Sequence, residues 1–137
     1  MAIVQASLEV MRDEGLVQNA AERGEQLRAG FRGINSALIR DVRGRGLLNA
    51  LEVRSDCHVN GHDLANILEK HGVITKATYD YSLRFTPPLV ITAEEVDEVV
   101  HRVTKSFEDL ERLNEQRANE KMFEDLDQTS QSVNLGK

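Results

Sequence analysis

Residues 82–95 constrain the fold more than any other stretch, because a strand must end and a helix must begin within them. Ser82-Leu83-Arg84-Phe85 has the composition of a short, largely apolar strand. Pro87-Pro88 cannot donate hydrogen bonds to a sheet, so the strand must end before it. Thr92-Ala93-Glu94-Glu95 has the spacing of a capping box, a reciprocal pair of side-chain-to-backbone hydrogen bonds that opens a helix. The stretch therefore predicts a strand, a short connection and a helix.

The helix that begins at this box has the most regular apolar pattern in the chain. Ile91 and Val96 have the spacing of a hydrophobic staple across the box. One apolar stripe then follows the helix: Val96, Val99, Val100, Val103, Phe107, Leu110 and Leu113. We expect three or four turns of this helix to pack on a sheet. Beyond Asn114 the stripe thins, and we expect disorder from about Gln128 onward.

The N-terminal quarter predicts two helices separated at Gly15. Their apolar stripes are Ile3, Ala6 and Val10 in the first, and Leu16, Ala20, Leu27, Phe31 and Ile34 in the second. No capping residue precedes Ile3, so the first helix lacks an ordinary start signal. We therefore expect the sequence to be a fragment of a longer one.

The middle of the chain predicts short strands around one helix. Strands are expected at Ile39–Val42, Leu47–Val53, Val73–Thr75 and Ser82–Phe85, with a polar link at 77–80 before the last. A short helix through Leu64 and Leu68 should end at Gly72. The predicted fold class is α+β, with helices packed on one face of a small, mainly antiparallel sheet of three or four strands.

Length and composition exclude several classes of function. The 137 residues suit one compact domain, which we place at 1–113, followed by a polar tail at 114–137 that is helical at first. The net charge of −6, with dispersed basic residues, argues against nucleic acid as a partner. No window is apolar enough to span a membrane, and the start lacks a signal-peptide pattern. The single cysteine is compatible with a reducing, intracellular compartment.

Arg84 is the main candidate for a functional residue. A guanidinium buried without a partner costs on the order of several kcal/mol, so an arginine in an apolar strand requires a carboxylate, a phosphate or water. Its planar fork suits bidentate binding of a carboxylate. A surface arginine or an internal ion pair would explain the same pattern, and the residue types leave these interpretations open.

Other candidate groups have simpler explanations. Arg43-Gly44-Arg45-Gly46 allows close approach of a phosphate, but it lacks a complete phosphate-binding motif and favours a bend between strands. Cys57, His58, His62 and His71 lack the spacing of a zinc site. Lys70 and Lys76 are interpreted as surface residues, because nothing beside them supplies a base or a phosphate cup. The acids Glu94, Glu95, Asp97 and Glu98 complement a helix dipole.

Two separated motifs resemble the C-terminal small domain of the class III pyridoxal-phosphate aminotransferases, and the ornithine aminotransferases in particular. Residues 42–50, Val-Arg-Gly-Arg-Gly-Leu-Leu-Asn-Ala, resemble that family's Arg-Gly-Lys-Gly-Leu-Leu turn and strand. Residues 84–91, Arg-Phe-Thr-Pro-Pro-Leu-Val-Ile, resemble its Arg-Phe-Ala-Pro-Pro-Leu-Val-Ile segment. The resemblance covers roughly residues 2–112. Ala77, where proline is common, and Tyr79-Asp80-Tyr81 depart from the family pattern.

The resemblance implies one half of a transaminase site. Arg84 would bind the α-carboxylate of 2-oxoglutarate or glutamate, and would pair with a large-domain glutamate when ornithine is bound. The lysine, aspartate and phosphate loops that hold pyridoxal 5'-phosphate would lie in a large domain absent from this sequence. No catalytic, cofactor-binding or metal-binding residue is expected in this chain, which should be inactive alone.

Several alternatives stay open at this point. The chain could belong to an acetylornithine or 4-aminobutyrate transaminase, or it could be a non-catalytic module that binds an amino acid. Partners expected from the resemblance are the large domain and amino-acid and 2-oxo-acid substrates. We expect the surface left by a missing large domain to be apolar and to drive homo-oligomerisation. The family occurs in mitochondria and in cytosol, so either compartment fits.

Overall fold

The computed structural model describes residues 1–134, which form four helices and four strands. The helices are α1 (Ala2–Asp13), α2 (Leu16–Arg32), α3 (Gly61–Lys70) and α4 (Ala93–Asn134), and the strands are β1 (Ile39–Arg45), β2 (Leu48–Val53), β3 (Lys76–Tyr79) and β4 (Ser82–Phe85). All strand pairs are antiparallel, in the order β1-β2-β4-β3. The predicted α+β class is therefore confirmed.

The core lies on one face of the sheet. Leu51, Leu83 and Phe85 alternate toward that face and are buried under the apolar stripes of α2, α3 and α4. Phe31 of α2 packs against Phe85 with ring centroids 4.9 Å apart and tilted by 60°. The opposite, open face carries mostly exposed or half-buried side chains, among them Arg84, although Ser82 on that face of β4 is buried.

The predicted start of α4 is confirmed in both halves of the capping box. The Thr92 backbone N–H donates to Glu95 Oε2 at 2.9 Å, and the Glu95 backbone N–H donates to Thr92 Oγ1 at 3.2 Å. Ile91 and Val96, the staple pair, are both buried. The box therefore sets where α4 begins relative to the end of β4.

Two strand predictions were wrong in their bounds. Residues 43–45 continue β1 instead of interrupting it, and the bend falls at Gly46, whose φ is +54°. Val73–Thr75 is not a strand, because the Val73 N–H closes the end of α3 by donating to the Leu68 carbonyl at 2.9 Å. β3 instead starts at Lys76 and includes most of the predicted polar link.

The two ends of the chain also differ from expectation. Helix α1 has no buried residue, so its apolar stripe faces solvent instead of the core. Helix α4 continues to Asn134, past the predicted onset of disorder at about Gln128, and residues 135–137 lie outside the described part of the chain. No Gly or Pro occurs between Ala93 and Asn134 to end the helix earlier. Within residues 1–134 no helix is both long and apolar enough to cross a membrane.

Arg117 ties the later part of α4 to α3. Its guanidinium donates to both carboxylate oxygens of Asp63 at 2.7 and 2.9 Å, and to the His58 carbonyl at 3.0 Å. Burial raises the pKa of Asp63, but the bonds from Arg117 and from the Asn60 backbone N–H outweigh it, so the pKa lies below its usual value. The contacts of α4 thus extend beyond residue 113, although the domain division there stays a prediction.

The bend between β1 and β2 packs directly on α2. A Cβ added to Gly24 would lie 1.9 Å from the Gly46 carbonyl oxygen, so the helix and the bend meet backbone to backbone. Gly24 is buried on the same helix face as Leu27 and Phe31. This close approach fixes how near α2 can lie to the bend between β1 and β2.

We predict that Gly24→Ala destabilises the fold by about 1–3 kcal/mol, because the new methyl group overlaps the Gly46 carbonyl. Gly33→Ala at the end of the same helix is the control, since the nearest atom to its added Cβ is 3.4 Å away. Urea unfolding followed by circular dichroism measures both. Equal stability of the two variants would contradict the backbone contact.

We predict that Arg117→Gln lowers the free energy of unfolding at pH 7 by about 1 kcal/mol, with Lys121→Gln as the exposed control. Because the pKa of Asp63 is lowered in the folded chain, its stabilisation is present above its unfolded pKa, near 3.9, and is lost as pH falls through the folded pKa. The difference between wild type and Arg117→Gln should therefore shrink below about pH 4. A difference that does not change down to pH 2 would argue against the ion pair.

Candidate carboxylate-binding site

Arg84 lies on the open face of the sheet, not in its core. Its neighbours Leu83 and Phe85 are buried, whereas Arg84 is exposed, as strand alternation requires. The prediction of a buried guanidinium in need of a partner is therefore wrong about burial. Arg84 Cα pairs with Ala50 on one side and Lys76 on the other. A small neighbour and an exposed position leave the guanidinium accessible.

The strand that carries Arg84 is held firmly in place. Thr75 Oγ1 donates to the Arg84 carbonyl at 2.6 Å, and β4 pairs with strands on both sides. Phe85 is packed against α2 immediately after it. The direction of the Arg84 side chain is therefore set by the core even though the side chain itself lies outside it.

Arg84 lines a cleft of about 800 Å³ at the end of the sheet. Other walls come from Lys76, Pro87 and Pro88, and from Val99 and Arg102 of α4. The double proline thus ends β4 and also forms one side of this cleft. A concave site with apolar walls and a few charged groups suits a small polar molecule.

Several charged groups of β1 and β2 on the open face are already paired. Arg43 donates to Glu52 at 2.7 Å and to Asp41 at 2.9 Å, and these bonds raise the pKa of Arg43. Arg40 donates to the other oxygen of Glu52 at 2.9 Å. Among residues 1–134, Arg84 has no hydrogen bond or ion pair through its guanidinium. The open face thus presents Arg84 as a cation ready for an external anion.

The sequence-based interpretation missed Arg28. Only 7% of Arg28 is exposed, and it donates to the Gly46 carbonyl at 2.9 Å and to Asn49 Oδ1 at 2.6 Å. A third bond, of 3.0 Å, reaches Glu25, whose pKa it lowers. Its place on the buried face of α2, one residue after Leu27, was the available signal. Arg28 holds the bend that joins β1 to β2.

The other candidates do not form a site. Gly44 lies within β1, so the bend predicted over residues 43–46 is confined to its end, at Gly46, which packs on α2. Within the described residues no three His, Cys, Asp or Glu side chains lie close enough to hold a metal ion. His71 Nε2 instead contacts Asp109 Oδ2 at 2.6 Å, which holds the pKa of Asp109 below its usual value, and Cys57 Sγ donates to the Arg54 carbonyl at 2.7 Å.

The sequence profile of the class III aminotransferases matches residues 1–107. This chain belongs to that family. Among curated relatives, the acetylornithine aminotransferase of Bifidobacterium longum is 45% identical over 69% of this chain and 21% of its own length. The ornithine aminotransferase of Staphylococcus carnosus is 37% identical over 77% of this chain and 26% of its own length. The chain thus spans about a quarter of these relatives.

Solved structures of ornithine and acetylornithine aminotransferases share the fold. The ornithine aminotransferase of Toxoplasma gondii superposes with a TM-score of 0.72 and 39% identity, over 79% of this chain and 26% of that one. That structure is described as having partial occupancy of PLP, pyridoxal 5'-phosphate, at its active site. The acetylornithine aminotransferase of Elizabethkingia anophelis gives 0.71 and 32%, over 79% and 29%. Both enzymes therefore contain a substructure like this chain.

We predict that Arg84→Gln changes the free energy of unfolding by less than about 0.5 kcal/mol, because an exposed, unpaired side chain contributes little. Arg28→Gln should cost about 2–4 kcal/mol, because it removes three bonds from a buried group. Urea unfolding of both variants makes the comparison. A large loss of stability in Arg84→Gln would indicate that Arg84 serves the fold instead of a ligand.

Proposed function

We propose that this chain is the substrate-facing small domain of an ornithine aminotransferase. The enzyme would transfer the δ-amino group of L-ornithine to a 2-oxo acid and release glutamate semialdehyde and an amino acid. The observation that carries the proposal is the position of Arg84, which is unpaired within the described chain, exposed on β4, and lines a cleft. The likeness to ornithine aminotransferases from several organisms supports it.

Arg84 would bind the carboxylate of the 2-oxo acid or the amino acid. Two parallel N–H···O bonds from a guanidinium orient a carboxylate as well as attract it. Because Phe85 packs in the core, β4 is held in place, and the orientation of a carboxylate bound to Arg84 would be fixed with it. With ornithine bound, Arg84 would pair instead with a glutamate of the large domain.

The residues of this chain do not fit a site for pyridoxal 5'-phosphate. Lys70, Lys76, Lys105 and Lys121 are all exposed, whereas a lysine that reacts with the cofactor needs a desolvated or otherwise activated amine. The N-terminus of α3 is capped by Asn60 and Asp63, and that of α4 by Thr92 and Glu95. These caps occupy N–H groups that could otherwise hold a phosphate. The large domain would therefore supply the cofactor, which provides the electron sink for transamination.

Acetylornithine is a second candidate substrate. The relative from Bifidobacterium longum carries that activity in its name and shares 45% identity over 95 residues. The Asn49-Ala50 and Phe85-Thr86-Pro87-Pro88 sequences resemble those of the ornithine enzymes more than those of the class at large, which favours ornithine. Both substrates would use the same carboxylate site at Arg84.

We further propose that the partners of this chain are the large domain of the same enzyme and further copies of that enzyme in a homo-oligomer. The compartment would be the mitochondrial matrix or the cytoplasm. Exposed apolar side chains that could serve such contacts include Ile3, Val4 and Leu8 on α1 and Leu48 on the open sheet face. The Oryza sativa relative is named as mitochondrial, which supports one of the two compartments.

Replacing the matching C-terminal segment of the Staphylococcus carnosus ornithine aminotransferase by residues 1–113 tests the proposal. The chimera should transaminate L-ornithine, and Arg84→Gln should lower kcat/KM for the 2-oxo acid by about 10- to 100-fold. Greater activity with N-acetylornithine would favour the second candidate. Unchanged kinetics in Arg84→Gln would refute the role of Arg84.

The chain alone provides the complementary measurement. Incubated with pyridoxal 5'-phosphate, it should show neither a stoichiometric covalent adduct in its absorbance spectrum nor turnover. Turnover by the isolated chain would contradict the division of labour between the domains. Tight binding of ornithine by calorimetry, abolished in Arg84→Ala, would favour a free-standing amino-acid-binding module.

A further inference from the structure

Lys76 stands directly opposite Arg84 across the β3–β4 pair. The two residues are register partners in an antiparallel ladder, so their Cα atoms lie about 5 Å apart and their side chains leave the same face. Both are exposed, and both line the 800 Å³ cleft. Like charges placed opposite one another destabilise a sheet. This arrangement therefore needs an explanation.

No carboxylate of the described chain relieves this repulsion. Glu95 and Glu98 also line the cleft, but Glu95 caps α4 and Glu98 accepts from Arg102 Nε at 2.7 Å. Within residues 1–134 neither the Lys76 ammonium nor the Arg84 guanidinium has a hydrogen-bond or ion-pair partner. The cleft thus holds two adjacent cations whose nearby acids are already engaged.

Residues aligned with Lys76 and Arg84 across the sheet include another cation, Arg43, which differs from them in having acidic partners. The register places Arg43, Ala50, Arg84 and Lys76 side by side across all four strands. Arg43, at the far end, is neutralised by Asp41 and Glu52. Ala50 separates it from Arg84 and leaves the space beside the guanidinium open. Only the half of the row nearest the cleft is left without internal acids.

We propose that Lys76 and Arg84 together form one two-cation carboxylate site. The planar guanidinium of Arg84 orients the carboxylate, and the ammonium of Lys76 adds a second point charge that increases affinity. The carboxylate belongs either to a 2-oxo-acid substrate or to a side chain of the large domain. The inference rests on the proposed function for Arg84 and adds Lys76 as a binding residue.

Thermal melting of the full 137-residue chain at low ionic strength tests the site. Melts are recorded with sodium acetate, with 2-oxoglutarate, and with chloride at matched ionic strength, and the increase in Tm with concentration gives a Kd. The variants are Lys76→Met and Arg84→Gln, with Arg45→Gln as the control. Arg45 is an exposed cation on the same face, at the other edge of the sheet, so its loss reports the effect of net charge alone.

Lys76→Met is expected to weaken carboxylate binding roughly two- to fivefold relative to Arg45→Gln, which is the worth of one exposed ion pair. A response to 2-oxoglutarate that far exceeds the response to acetate identifies the substrate as the source. If acetate and 2-oxoglutarate raise Tm equally per carboxylate group, the site recognises a single carboxylate, such as that of a large-domain side chain. Both results support the site.

The remaining outcomes separate this inference from the proposed function. If Lys76→Met binds like Arg45→Gln while Arg84→Gln is impaired, Lys76 has no part in the site and only this inference fails. If wild type shows no stabilisation by either carboxylate beyond chloride, the two-cation site is overturned, whereas the activity of the chimera still decides the role of Arg84. If Arg84→Gln also binds like the control, both assignments fail together.

Discussion

The alternation of β4 is the constraint on which the rest of the structure depends. Leu83 and Phe85 are buried beneath α2, α3 and α4, and strand geometry then forces Arg84 to the opposite face. Shifting the register by one residue would bury the guanidinium and expose both apolar side chains. The hydrophobic core therefore decides the position of a charge that it never touches. A ligand site built in this way inherits the rigidity of the core.

The open face is organised by how its charges are paired. At one edge, Asp41 and Glu52 neutralise Arg40 and Arg43 within the sheet. Toward the other edge, Arg84 and Lys76 have no acidic partner within the described residues and border a cleft. An exposed ion pair contributes little to stability, so these differences matter mainly for what the surface can bind. In the proposed enzyme, this face would form half of a site that a second domain completes.

Local signals predicted those elements whose hydrogen bonds close within a few residues. The capping box and staple placed the start of α4, and the apolar stripe of α2 predicted its buried face. Predictions were wrong where a distant partner decides the outcome. Val73 donates to α3 instead of joining the sheet, and residues 43–45 extend β1 because β2 pairs with them. The apolar stripe of α1 has the periodicity of a core helix, but none of its residues is buried by the described part of the chain.

The sequence by itself determined the α+β class, the order of the elements, the family and the choice of Arg84, because these follow from periodicity, capping residues and short motifs. Only the tertiary structure decided that Arg84 is exposed, that Arg28 is the buried arginine, and that Lys76 is the neighbour of Arg84. The reason is physical: burial and charge pairing depend on which strands become neighbours. In this chain β4 lies between β2 and β3 in the sheet, so residues of β2 and β3 that are far apart in sequence flank Arg84.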